Sequence, residues 1–133
     1  MRTLVIVDAA NVIGSVPDGW WRDRRGAAER LRDRLAGIEA SGIPGHPAPV
    51  EIVLVTEGAA RGLESVPGVR VESAPGSGDE RIVELVAARE PGRPCVVVTA
   101  DRELRRRAEA YGAECVGPRS VPASSAAPRD ERT

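Results

Sequence analysis

Apolar positions along this chain follow two alternating rhythms. Short, nearly unbroken apolar runs stand at Thr3 to Val7 (TLVIV), Glu51 to Thr56 (EIVLVT), Val69 to Ser73 (VRVES), Cys95 to Thr99 (CVVVT) and Ala113 to Val116 (AECV). Runs of this length, rich in β-branched residues and bounded by polar or turn residues, predict strands buried on both faces. Between them the period lengthens. Within Trp20 to Ile38, Ala27, Leu31, Leu35 and Ile38 recur at three- and four-residue spacing among Arg, Asp and Glu, which predicts an amphipathic helix. Ile82, Val83, Leu85 and Val86 predict the inward face of a second helix, from about Glu80 to Arg89, broken by PGRP. A third is expected from Arg102 to Tyr111, with Gly112 as its C-terminal cap.

Apolar strands alternating with helices predict an α/β fold, a three-layer α/β/α sandwich on a mainly parallel, roughly five-stranded sheet (Rossmannoid). Ser41 to Pro49, SGIPGHPAP, reads as a loop. From Gly117 onward large apolar residues are few and Pro, Ser, Ala and Arg dominate. One domain is therefore expected over residues 1–117 and a disordered tail over 118–133.

Composition adds several exclusions. The chain has 133 residues, 41% hydrophobic and 29% charged, an ordinary balance for one domain with its own core. Its apolar runs are strand-sized and no basic leader precedes a longer one, so no membrane association and a cytoplasmic location are expected. Cys95 and Cys115 lie inside apolar runs without metal-site spacing and are expected as small buried hydrophobes rather than a disulfide. All 19 basic residues are arginine. Without lysine, Walker-type nucleotide hydrolases, Schiff-base enzymes and phospho-receiver domains drop out. His46, the single histidine, sits in the Pro/Gly loop, which disfavours Ser-His-Asp hydrolysis despite the GSG at Gly76 to Gly78. A haloacid-dehalogenase-like phosphatase is disfavoured too, because Ala10 stands where a second aspartate would be needed. A net charge of −1 argues against wholesale electrostatic coating of nucleic acid.

The candidate chemistry gathers at strand ends. Ligands of open parallel sheets bind beyond the carboxyl ends of the strands. That edge receives Asp8 after the first strand, Glu57 after the second, Asp79 with Glu80 beside it after the third, and Asp101 after the fourth. Asn11 follows Asp8 by one helical turn's spacing. Asp79 and Asp101 also precede helices, where aspartate is a good N-cap. Asp8 runs into AANVIG, where no helix start is read, so capping does not account for it. Glu57, before Gly58, also fits a turn. Crowded carboxylates need a shared cation or proton, and an oxygen-rich, histidine-free set suits Mg²⁺ or Mn²⁺. Two such ions about 3.5–4 Å apart activate water and steady the leaving oxygen in phosphodiester cleavage. Asn11 would bind a metal's water or orient Asp8. Ser77 and Thr99, each two residues before an aspartate, would bond a phosphate or a carboxylate, or serve only as turn and strand-end hydroxyls.

VDAANV, GSGDE and TADREL, in that order, resemble the NYN-type, PIN-like ribonuclease domains over roughly Arg2 to Pro118. The resemblance implies a PIN-like fold and a divalent-metal-dependent endoribonuclease acting on RNA, usually its single-stranded regions. It implies metal on Asp8, Asp79 and Asp101, with Asn11 supporting the site and Glu57 or Glu80 as a fourth acid. The implied cofactor is Mg²⁺ or Mn²⁺ and the implied partner is RNA; a homodimer, the ribosome or an inhibitory protein stay open as further partners. In DGWWRDRR, Trp21, Arg22 and Arg24 would grip a single strand by stacking and phosphate pairing, although Asp18 could start the helix and one tryptophan pack on the core. Arg102 and Arg105 would neutralise phosphate near Asp101. The alternatives are a non-catalytic RNA-binding module and a small metal-dependent phosphatase or nucleotide hydrolase using the same acids.

Overall fold

A computed structural model describes residues 1–16 and 19–121. Asp18, an alternative helix start, and the greater part of the expected tail lie outside the described residues. Five strands form one sheet: β1 (Thr3–Asp8), β2 (Val50–Thr56), β3 (Val69–Ser73), β4 (Cys95–Val98) and β5 (Glu114–Val116). Their order is β3-β2-β1-β4-β5 and every neighbouring pair is parallel. The chain builds outward from β1 through β2 to β3, then returns past β1 to lay down β4 and β5 on the other side. Helices α1 (Ala9–Gly14), α2 (Arg24–Leu35) and α3 (Ile38–Ser41) precede β2, α4 (Gly78–Ala88) joins β3 to β4, and α5 (Arg102–Ala110) joins β4 to β5.

The strand period of two sorts the core into two slabs. Val5, Val7, Ile52, Leu54, Val96 and Val98 pack with Val12 and Ile13 of α1 and with Ala28, Leu31 and Leu35 of α2. Leu4, Ile6, Val53, Val55 and Val97 pack with Ile82, Val83 and Val86 of α4 and with Leu104 and Ala108 of α5. Reversing the winding direction puts the two helix groups on opposite faces. The α/β/α sandwich expected from the sequence is the fold observed. No helix among the described residues is long and apolar enough to cross a membrane.

Three boundaries differ from expectation, each for a local reason. The helix read from Trp20 to Ile38 is a 3₁₀ turn (Trp20–Arg22), then α2, then α3. Asp23 breaks and restarts it, its carboxylate accepting from Gly26 N at 2.9 Å as an N-cap. Hydrophobic period is blind to such a cap. Helix α4 begins at Gly78 rather than Glu80 because Ser77, not Asp79, caps it. At the other end the packed structure passes the boundary expected at 117. Pro118–Ser120 forms a 3₁₀ turn and Val121, a lone large aliphatic in that stretch, is buried in the α1–α2 slab.

Arginine serves here as a structural fork. Arg89 donates to the carbonyls of Val86, Arg93 and Tyr111, closing the end of α4 against the turn after α5. Arg93 pairs with Glu51 at 2.7 Å and donates to the Arg2 carbonyl. A planar guanidinium with several fixed donors suits such multiple attachments better than an ammonium.

Leu31 on one face and Leu104 on the other are both fully buried. Truncation of either to alanine is expected to cost about 2–5 kcal/mol in urea unfolding, whereas Arg30→Ala on the exposed side of α2 should stay within about 0.5 kcal/mol.

Candidate active site

The reversal of winding falls between β1 and β4, so a crevice opens beyond their carboxyl ends. The register pairs Val7 with Val98, which brings the next residues, Asp8 and Thr99, side by side. Thr99 is fully buried and its hydroxyl donates to Asp8 Oδ2 at 2.9 Å. The Thr99 hydroxyl oxygen in turn accepts from Asp101 N at 3.1 Å. Asp8 is the last residue of β1 and also the N-cap of α1, with Oδ1 accepting from Asn11 N at 3.4 Å. The expectation that no helix starts after Asp8 is thus corrected: Ala9, Val12 and Ile13 are the buried face of a short helix. Asn11 reaches across the crevice instead of back to Asp8, its Oδ1 accepting from Ala100 N at 2.8 Å.

Asp101 caps α5 by accepting from Leu104 N at 3.0 Å. Asp79 does not cap α4. Ser77 holds that role, accepting from Glu80 N at 3.3 Å, so its hydroxyl serves the helix. Asp79 sits half-buried in the first turn, its carboxylate without a hydrogen bond among the described residues. Glu57 Oε1 accepts from Gly78 N at 2.5 Å. The approach is so close that a Cβ on Gly78 would fall 2.6 Å from that oxygen. Gly78 is therefore a site residue the sequence reading missed; the signal was the second glycine of GSGD, which reads equally as a loop.

Of the two candidates for a fourth acid, Glu80 points elsewhere. It is exposed and pairs through both oxygens with Arg107, at 2.8 and 3.2 Å, and that pairing holds its pKa below the ordinary range. Glu57 acts on both Asp8 and Asp79, whereas Glu80 acts, as the smallest contribution, on Asp79 alone. Arg105 is also redirected: its Nε donates to the Thr99 carbonyl at 2.8 Å, bracing the end of β4. Arg22, Arg24 and Arg102 are exposed and make no ion pair or hydrogen bond among the described residues. Trp20 is half-buried on the core while Trp21 is 56% exposed. The two rings meet edge to face at 6.0 Å, with Arg24 5.6 Å from the centre of Trp20 and Arg22 5.8 Å from that of Trp21.

Burial pushes the Asp8 carboxyl up from 3.8 to about 6, against the bonds from Thr99 and Asn11, and the charges of Asp79 and Glu57 push the same way. Asp79 is also raised, first by burial and then by Asp101 and Glu57. Asp79 is thus the hub, acting on Asp8 and acted on by Asp101 and Glu57, across a partly dehydrated crevice. Among the described residues no three acidic, histidine or cysteine side chains stand close enough to cage one ion. Asp8, Glu57 and Asp101 are each held by protein donors. Such an all-oxygen, uncompensated set suits a hydrated hard cation that touches one or two carboxylates, which is the habit of Mg²⁺, rather than an all-protein cage.

No family model and no curated protein matches the sequence. Among solved structures, the fold matches Rae1 (YacP) from Bacillus subtilis with a TM-score of 0.71 at 21% identity, over 88% of this chain and 70% of that one. A point mutant of the same protein gives 0.69 at 19% identity, over 90% and 72%. At that identity the likeness is one of fold.

A carboxyl bound to its proton more tightly in the folded than in the unfolded chain stabilises fully below its unfolded pKa and loses that contribution as pH rises through the folded value. For Asp8, from 3.8 to about 6, the ionised form costs about 3 kcal/mol. In EDTA, Asp8→Asn should therefore gain on the native protein between pH 4 and pH 7 in denaturant unfolding; an equal difference at both would contradict this. Thr99→Val, by removing a bond to the ionised form, should move the Asp8 titration higher still in carboxyl NMR.

Proposed function

We propose that this chain is a divalent-metal-dependent endoribonuclease that hydrolyses phosphodiester bonds of single-stranded RNA. The observation that carries the reading is the gathering of Asp8, Glu57, Asp79 and Asp101 along the carboxyl edge of the sheet, with Asp79 and Glu57 acting on Asp8, Asp101 and Glu57 acting on Asp79, and no directly bonded cation among the described residues. The order of VDAANV, GSGDE and TADREL, which resembles the NYN-type, PIN-like ribonucleases, supports RNA as the substrate, and the fold shared with Rae1 (YacP) is compatible with it.

In this reading a hydrated Mg²⁺ or Mn²⁺ would touch one or two of Asp8, Asp79 and Asp101, with the remaining acids, Glu57 among them, meeting its water shell. When bound, the ion supplies an activated water and Lewis-acid stabilisation of the phosphodiester oxygens. The protein's own part is to hold the carboxylates. Thr99 and Asn11 fix Asp8 and the β4–α5 loop, Gly78 fixes Glu57, and Arg22, Arg24 and Arg102 attract the phosphates. A second reading, an RNA-binding module without catalysis, draws on the lack of any three-acid cage among the described residues.

Labelled single-stranded RNA, duplex RNA and free nucleotides are to be incubated with Mn²⁺, with Mg²⁺ and with EDTA. Cleavage of single strands is expected with either metal, abolished by EDTA and lowered about a hundredfold or more in Asp8→Asn and Asp79→Asn, since even outer-shell changes at metal sites cost 10–100-fold. Mn²⁺ should also raise the melting temperature of the native protein and not of Asp8→Asn. Cleavage that persists in EDTA or in both variants would refute the proposal. Binding without cleavage would favour the module, and turnover of free nucleotides alone a phosphatase-type enzyme.

A further inference from the structure

A hollow of about 200 Å³ lies beside the carboxylates, walled by Ala9, Ala10 and Ile13 of α1, by Trp20 and Arg24, and by Glu57 at the end of β2. We propose that it is the subsite for one nucleobase of the single strand whose phosphate lies at the carboxylate edge. This inference rests on the reading of the chain as an RNA-acting domain and names the place where that domain would hold a base.

Four observations converge on this occupant. The first is continuity: Ala9 and Ala10 directly follow Asp8, and Glu57 both walls the hollow and belongs to the coupled acids. A nucleotide whose phosphate sits at Asp8 therefore has its neighbouring ring within reach of the hollow. The second is size. The volume falls below the roughly 300–1,000 Å³ of sites for drug-sized ligands, which points to a single ring system.

The third is the chemistry of the walls. One indole, four aliphatic side chains (Ala60 beside those of α1), one guanidinium and one carboxylate make an apolar slot with polar groups at its edge. A nucleobase has the same character, a flat apolar face with hydrogen-bonding edges. Proteins that splay single-stranded bases stack them on aromatic rings and arginine planes. Glu57 commits Oε1 to Gly78 N, and its Oε2 has no bond among the described residues, which leaves an acceptor for a base N–H. The fourth is charge. A phosphate approaching four carboxylates is repelled, and Arg24, which lies over Trp20 and pairs with no acid among the described residues, puts a cation on the rim of the same hollow.

The residue assigned to the base is thus Trp20 rather than Trp21. The sequence offers Trp21 because adjacent tryptophans among arginines just after the Asp8 loop suit base stacking and phosphate pairing. Trp21 is not among the residues walling the hollow, and Trp20 is.

The proposal is tested by binding in EDTA, where no metal-dependent cleavage occurs. The Trp21→Phe protein leaves Trp20 as the single indole, whose fluorescence is followed during titration with a short single-stranded RNA. Saturable quenching is expected, together with binding about tenfold weaker, by fluorescence anisotropy of labelled RNA, for Ala10→Leu, which fills the hollow, and for Trp20→Leu. Circular dichroism and melting temperature establish that each variant is folded; if Trp20→Leu fails to fold, Ala10→Leu on the exposed side of α1 decides. An RNA with abasic positions should bind the native protein about as weakly as normal RNA binds Ala10→Leu. Unchanged affinity in Ala10→Leu, with native cleavage intact in Mn²⁺, would overturn the subsite and leave the ribonuclease standing. Absence of RNA binding by the native protein would overturn the subsite, and absence of cleavage as well would overturn both. Quenching by an unrelated apolar peptide but not by RNA would mark the hollow as a protein-docking site and likewise overturn the proposal.

Discussion

A carboxylate buried at the end of the central strand is the constraint on which the rest of this structure turns. Asp8 is 5% exposed, in the one strand flanked on both sides by longer or equally buried neighbours. An ionised group there is costly unless donors or a cation meet it. The parallel register of β1 and β4 supplies one donor by bringing Thr99 alongside, and α1 supplies another at its first turn. The Thr99 hydroxyl then accepts from Asp101 N, so the strand end, the loop and the start of α5 share one hydrogen-bonded knot. Burial and the charges of Asp79 and Glu57 still outweigh these bonds, so the Asp8 carboxyl stays raised to about 6.

The arginines divide along the same line. Arg89, Arg93, Arg105 and Arg107 are committed to carbonyls or to Glu51 and Glu80, bracing helix ends and strand ends. Arg22, Arg24 and Arg102 carry no such commitment among the described residues and border the tryptophans and the acid edge. In a chain whose formal charge is −1, the distribution of paired and unpaired guanidinium groups, not their number, determines where an anionic ligand is drawn.

Much of the fold was legible because strand and helix periods are strong local signals. TLVIV, EIVLVT and CVVVT could only be buried strands, and the alternation with helices made a parallel sheet the economical arrangement. The acids at the strand ends followed from that edge. Their individual roles did not. Asp8 caps a helix that AANVIG hides, because its buried face is only Ala9, Val12 and Ile13. The cap expected of Asp79 belongs to Ser77, two residues earlier. Glu80 and Arg105, plausible at the site by position, are drawn off by Arg107 and the Thr99 carbonyl. A one-residue difference in helix start turns a carboxylate by about 100°, and hydrophobic periodicity does not resolve that.

By itself the sequence determined the elements, their alternation and the edge on which carboxylates gather. These are local or compositional properties, readable without knowing which elements touch. Only the tertiary structure decided that Thr99 meets Asp8, that Asn11 ties α1 to the loop after β4, that Gly78 makes room for Glu57, and that Trp20 rather than Trp21 faces the hollow beside them. Each of these joins residues far apart in the chain or depends on the rotation of a short helical turn, and such contacts are fixed by strand order, register and packing rather than by any local pattern of residues.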